Sequence, residues 1–275
     1  VDMDTMSLSY EKIKAAVTGN TKAIVLVHAL GFNGINDELI ELAKDKNLLL
    51  IEACCQAHGA PHKSKRVGSL SDMSCFSFYF GHHMTTIEGG MICTDDEDLY
   101  NELLLLRSHG LLRTLPEKEQ EKRKLDNVDP LFTFIRDGFN VRNTDLHAKL
   151  GLLQLSHLDN FIEHRNNNFN IFVDNMNSDL YRTDFIRQGC SNFAFPIFTK
   201  KNNIQEIKNK LKELGVEYRP CIAGNLYEHS FMDSVNQFRF DENASEIHKS
   251  CIYVGNHKDI TNDMVKYLCE ELGKI

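Results

Sequence analysis

Between Ser77 and Gly90 the chain reads SFYFGHHMTTIEGG, an aromatic, apolar run that passes into two adjacent imidazoles, His82 and His83, and then into a glycine turn. Imidazole is the side chain whose ordinary pKa lies closest to neutrality. One such group can therefore take a proton from a substrate and later give it back. Two other apolar runs end in a similar way: AIVLV is followed by His28, and LLLIEACC by Gln56 and His58. A lone histidine is more often packed or solvated than catalytic. Three polar ends on successive runs are harder to dismiss as packing, and the corners HGA and EGG let a ligand approach the backbone closely. Adjacent residues on a strand face opposite sides, so one of His82 and His83 is expected to face a ligand and the other to be its neighbour.

A sheet must hold these ends in place. KAIVLVHAL, NLLLIEACC, residues 74–79 and GGMICTD read as four strands, and the unbroken apolar run of the first predicts cover on both faces. Residues 10–17, 36–46 and 96–106 read as helices; Leu39, Ile40, Leu42 and Ala43 form the inner side of the second. Alternation of this kind predicts a parallel α/β sheet, whose ligands sit at the carboxyl ends of its strands. Residues 113–129, rich in Glu and Lys, read as a solvated loop or exposed helix. The spacing then predicts one long helix over 144–172, opening on a Thr-Asp cap. Beyond it, NFAFPIFT, GVEYRPCIAG and CIYVGNH read as strands, and 204–214 and 261–272 as helices. The expected organisation is a large α/β domain over 1–158 and a small α+β domain over 159–275.

Composition narrows the class. The chain has 275 residues, 42% hydrophobic and 25% charged, which is ordinary for a globular protein. A net charge of -8 argues against a nucleic-acid partner, which would call for a basic face. No apolar run is long enough for a membrane helix, and no membrane association is expected. The eight cysteines include no C-x-x-C pair, so no metal or cluster site is assigned. Scattered cysteines suit reduced thiols in a cytoplasmic protein. The chain opens on Val1 and begins as if within a domain, so an N-terminal segment of the large domain is expected to be missing.

Read in order, TKAIVLVHALG, LLLIEACCQAHGA, DMSCFSFYFGHHMTTIEGGMICTDDEDL, RSHG and GFNVRNTDLHAKLGLLQLSHLDNFIEHR resemble the DegT-type sugar aminotransferases over essentially the whole chain. That resemblance implies a pyridoxal 5'-phosphate (PLP) enzyme of the aspartate-aminotransferase fold, PLP fold type I. It also implies a nucleotide-linked sugar substrate and a homodimer with active sites at the subunit interface. The family's S-F-x-x-x-K motif ends in the lysine that holds the cofactor covalently. Here Ser77 matches the serine that binds the cofactor phosphate, and His82 stands where the lysine would be. The exchange resembles the histidine-for-lysine branch of sugar 3-dehydratases, to which RPCIAGNL and YVGNH are also similar.

The branch implies removal of the C3 hydroxyl of a nucleotide-linked 4-keto-6-deoxy sugar, for lipopolysaccharide or surface-glycan synthesis. The cofactor would work in its pyridoxamine 5'-phosphate (PMP) form, restored by glutamate. Imidazole cannot bind the cofactor as lysine does, so His82 is expected to act as the base on a noncovalently held cofactor. By the same resemblance, Gln56 meets the cofactor's ring hydroxyl and Asn140 reaches the phosphate from the partner subunit. Arg219 and Asn225, in R-x-x-x-A-G-N, match residues that face the sugar, and His83 is left a structural or substrate-side role. The plain alternatives are a surface arginine at 219 and a turn asparagine at 140.

Two departures bear on this reading. The family writes I-E-D-x-x-Q where this chain has Ile51-Glu52-Ala53-Cys54-Cys55-Gln56, so Ala53 replaces the aspartate that pairs with the pyridine nitrogen. The glycine-serine turn and ring-stacking aromatic that open the family's sequence have no match. The competing expectations are therefore a nucleotide-sugar aminotransferase, against which His82 speaks, and an impaired homologue serving as a binding or dimerisation subunit.

Overall fold

The computed structural model describes residues 1–233 and 241–275. Its elements run α1 (Tyr10–Ala16), β1 (Ala23–Val27), α2 (Asp37–Asp45), β2 (Leu49–Ala53), β3 (Pro61–His62), β4 (Lys65–Arg66), β5 (Met73–Ser77), β6 (Gly90–Cys93), α3 (Glu97–Arg107) and α4 (Glu117–Lys122). They continue α5 (Asp145–Leu155), α6 (Leu158–Asn175), β7 (Ala194–Phe198), α7 (Ile204–Glu213), β8 (Tyr218–Pro220), α8 (Glu242–Ser250), β9 (Cys251–Gly255) and α9 (Asn262–Leu272). Local chemistry sets the boundaries. Asn36, Asp96, Asp241 and Thr261 each turn a side-chain oxygen onto the third backbone N–H that follows, capping α2, α3, α8 and α9.

The first sheet has the order β1-β2-β5-β6. β1, β2 and β5 are parallel, with Val27 opposite Ala53 and Ala53 opposite Cys75. Their carboxyl ends therefore share one edge, and His28, Cys54 and Ser77 stand there together. β6 corrects the all-parallel expectation by running antiparallel to β5. The link from β5 to β6 contains no helix; without a crossover the chain can only double back. β1 is also unlike its expectation: its residues alternate between exposed and buried, leaving Val25 and Val27 bare.

The expected long helix is two, α5 and α6, separated at Ser156 and His157. The expected division at 158 and 159 falls at the first turn of α6. The C-terminal part folds as an antiparallel sheet in the order β7-β9-β8, with α6 and α9 packed together beside it. Its core joins Phe169, Phe172, Phe195, Ile197, Ile252 and Leu268, and takes in Leu30 and Phe32 from the corner after β1. A separate core under the first sheet joins Ile24, Leu26, Leu39, Ala43 and Leu50. The whole is a mixed α/β fold, as the sequence predicts.

Candidate active site

At the β1 and β2 ends the buried polar groups hold one another. His28 Nδ1 accepts from the Gly34 amide at 3.1 Å, which leaves Nε2–H to donate to Glu52 Oε1 at 3.2 Å. The Glu52 carboxylate also accepts from the Gly68 and Leu70 amides and from Ser71 Oγ. These bonds hold its pKa down against its burial. His28, Glu52 and Cys54 bring donor atoms within 4.8 Å of one another, but the His28 nitrogens and Glu52 oxygens already have partners. Glu52 thus clamps the loop over the sheet and turns away from the ligand edge.

His82 and His83 lie in a turn beyond β5, closed by the His82 amide on the Tyr79 carbonyl at 3.0 Å. The strand-alternation argument for separating them therefore does not apply. The loop is pinned from α5, where Gln154 exchanges amide hydrogen bonds with both backbone groups of Thr85. His83 is buried, and its Nε2 meets Ser191, 2.8 Å from Oγ and 3.0 Å from the carbonyl. That enclosure favours its structural role over the substrate-side one. His82 is half-buried, and its Nδ1 is enclosed without a partner. His58 completes a cluster, its ring centroid 5.3 Å from His83 and 6.1 Å from His82, with Nε2 also unpartnered. Phe193, from the segment before β7, lies 5.4 Å from His82.

Electrostatics keep this cluster uncharged. Burial lowers the pKa of His82, and the Arg165 guanidinium adds to the effect. The same two causes hold His83 well below the ordinary imidazole value. Burial, with His82 next, takes His58 down to about 4. Neutral imidazoles are proton acceptors near pH 7, as a base must be.

The other expected residues are placed unequally. Ser77, half-buried at the end of β5, accepts the Tyr79 amide at 3.3 Å on Oγ and keeps its hydroxyl proton free to donate. Gln56 Oε1 accepts the Leu30 amide at 2.8 Å, leaving the amide nitrogen as its donor. Ala53 ends β2 between Val27 and Cys75, on the shared edge. Asn140 is exposed, paired across a bridge with Ser108. Arg219 is exposed and forms an ion pair with Glu217. Asn225 is turned inward: Nδ2 donates to Ser245 Oγ at 3.0 Å and Oδ1 accepts the Tyr227 amide. The structure thus brings His82, Ser77, Gln56 and Ala53 to one edge, leaves Asn140 and Arg219 at the surface, and occupies Asn225 elsewhere.

Arg165, Ser191 and Phe193 escaped the sequence reading. A signal for Arg165 existed: it continues the buried helical stripe Leu158, Ile162, Phe169 and Phe172, where a charge is out of place. A PLP-type group fits this edge through the Ser77 hydroxyl, the Gln56 amide and the half-buried His82 ring. At Ala53 its ring nitrogen would meet no carboxylate.

The model of the DegT/DnrJ/EryC1/StrS aminotransferase family matches residues 1–273. A GDP-4-keto-6-deoxy-D-mannose 3-dehydratase of Yersinia pseudotuberculosis is 33% identical over the whole chain and 72% of its own length. Among solved structures, the Escherichia coli GDP-4-keto-6-deoxy-D-mannose-3-dehydratase with bound hydrated PLP superposes with a TM-score of 0.90 at 32% identity, covering 99% of this chain and 72% of that one. Another structure of a GDP-4-keto-6-deoxymannose-3-dehydratase, with PLP and glutamate trapped together, gives 0.89 at 32% identity over 99% and 73% of the two chains.

Proposed function

This chain belongs to the DegT/DnrJ/EryC1/StrS aminotransferase family, and on that premise we propose that it is a PLP/PMP-dependent 3-dehydratase of a nucleotide-linked 4-keto-6-deoxy sugar. The observation that carries the reading is His82, a neutral, half-buried imidazole with an unpartnered Nδ1, standing where transaminating relatives place a lysine. When bound, the cofactor supplies the amine that captures the 4-keto carbon and the electron sink that lets the C3 hydroxyl leave. The chain's own residues do the rest. Ser77 donates its hydroxyl to the phosphate, and Gln56 donates its free amide to the ring hydroxyl. His82 takes a proton beside the ring and returns it to the departing hydroxyl, so that water leaves instead of hydroxide. Glutamate would serve as the amine donor.

Arg219, exposed on the rim, is free to swing from Glu217 toward the sugar nucleotide. Asn225 positions the loop behind it rather than touching sugar. We place Asn140 against the phosphate of a partner subunit, so the working unit is a homodimer. Free thiols throughout, among the described residues, support the cytoplasm as its location. No helix of the described residues is long and apolar enough to cross a membrane.

Aminotransfer as the main reaction would need an amine at position 82, which imidazole does not offer. A second reading, an impaired homologue, draws on Ala53. The two are separated by mixing the purified chain with PLP and glutamate and following absorbance: interconversion of the aldehyde and amine forms supports the enzyme, and failure to bind PLP supports the impaired homologue. The base is tested by His82→Asn. Loss of dehydration by about 100-fold or more, with PLP affinity kept within a few-fold, is expected. Full turnover in His82→Asn together with an inactive His83→Asn would sink the assignment.

A further inference from the structure

Arg165 is a cation in the wrong place for a surface charge. It points from α6 at the residues just before β7 and just after β9 and is only 2% exposed. Buried guanidinium groups are ordinarily paired with carboxylates, because an uncompensated charge in a low-dielectric interior is costly. Among the described residues Arg165 has no ion-pair partner. It donates through one nitrogen to the Asn256 carbonyl and, at 3.4 Å, to the Phe193 carbonyl, while Nε has no partner. Asn256 returns the contact, donating from Nδ2 to the Arg165 carbonyl at 2.8 Å. Among the described residues, dipoles and not an opposite charge therefore hold this cation, and none of them cancels its field.

The segment that holds Arg165 also forms the back wall of the histidine cluster. Phe193, whose carbonyl meets the guanidinium, sets its ring centroid 5.4 Å from that of His82 and 6.1 Å from that of His83, tilted to both. Ser191, two residues earlier, meets His83 Nε2. We propose that Arg165 is a positioning residue for proton transfer: an unpaired buried cation behind the cluster that keeps His82 in its neutral, proton-accepting form. A proton on His82 would place a second positive charge in the same poorly screened interior, and the repulsion opposes it. The proposal rests on the reading of His82 as the base.

The titratable groups facing His82 are consistent with this. Its own loop brings Tyr79, with a ring centroid at 6.0 Å, and the neutral His83. The segment after β2 brings neutral His58. The segment before β7 brings only the Phe193 ring, and α6 brings Arg165. Besides burial, the Arg165 charge lowers the His82 pKa, and among the described residues no carboxylate acts on it in the opposite sense.

The test reads the His82 imidazole directly, by NMR titration of the ligand-free full chain, with the resonance assigned by its loss in His82→Asn. The wild-type midpoint should lie below 6.5, the ordinary imidazole value. In Arg165→Gln it should rise by about half a unit or more, whereas Arg165→Lys, which keeps the charge, should leave it low. Asn192→Asp offers a second route that leaves Arg165 in place. Asn192 is buried with both side-chain polar atoms unpartnered, and an aspartate there adds a counter-charge of the same shape. It should raise the midpoint in the same direction, and if Arg165→Gln does not fold, Arg165→Met, uncharged and of similar length, is read in its place. A wild-type midpoint at or above 6.5, or an unchanged midpoint in the folded variants, overturns the proposal. Either result is independent of whether His82→Asn abolishes turnover, so the base assignment and the role of Arg165 fail separately.

Discussion

A carboxylate beside a pyridine nitrogen keeps that nitrogen protonated and deepens the electron sink, and position 53 offers only a methyl group. The neighbouring Glu52 cannot substitute, because its oxygens are spent on His28, Gly68, Leu70 and Ser71. Restoring the carboxylate should therefore show in binding. Ala53→Asp should tighten PLP by about tenfold in an absorbance or fluorescence titration, as one charge-assisted hydrogen bond is worth. Unchanged or weaker binding would mean that the ring nitrogen does not lie against position 53. At this scale the sequence was informative where chemistry follows a motif: Ser77, Gln56 and His82 reach the same edge. It was silent on partners distant along the chain. Nothing in SFYFGHH announces Ser191 or Phe193, and Asn225, matched by pattern, is turned away into Ser245.

Among the elements, helices with a cap and an apolar stripe were legible to within a residue or two. The helix read over 36–46 from its inner residues Leu39 and Ala43 is α2, capped by Asn36, and the one read over 261–272 is α9, capped by Thr261. Two other features were not. The break between α5 and α6 has no proline or glycine to mark it, since Ser156 and His157 stay near helical geometry. The direction of β6 depends on the missing crossover, which an apolar run cannot reveal. The corner after β1 shows how an element positions the site at a distance. Gly31, at φ +92°, accepts the Ser191 amide on its carbonyl, and the Phe193 amide donates to the Leu30 carbonyl next to it. A Cβ at Gly31 would fall 1.9 Å from the Ser191 carbonyl oxygen. Gly31→Ala should cost about 2 kcal/mol or more in denaturant unfolding, from strain and displacement together. By pushing Ser191 off His83 it should also shift the His83 imidazole resonances. A variant as stable as wild type would show that this corner does not fix the wall behind the histidines.

The largest unpaid debt of the whole molecule is apolar surface. Val25 and Val27 lie bare on β1, and Phe139 and Val141, each 66% exposed, flank Asn140 just before α5. Along α5 itself Leu146 is 80% exposed, and Leu152, Leu153 and Leu155 are exposed as well. A groove of about 560 Å³ between β6, α3 and the Phe139–Val141 segment extends the same face. Surface of this extent on a chain carrying a net charge of -8 calls for a covering partner, and in the homodimer proposed above a second copy would bring its Asn140 to the cofactor phosphate of the first. The prediction is that sedimentation equilibrium gives twice the 31.5 kDa chain mass at micromolar concentration. The double change Leu152→Glu and Leu153→Glu should give a folded monomer, because a buried apolar contact becomes a charged one. PLP affinity should fall about tenfold or more in that monomer, since each site then loses one charge-assisted phosphate contact. A wild-type monomer, or a monomeric variant with undiminished PLP affinity, would remove Asn140 from the site and make the exposed face a matter of solubility alone.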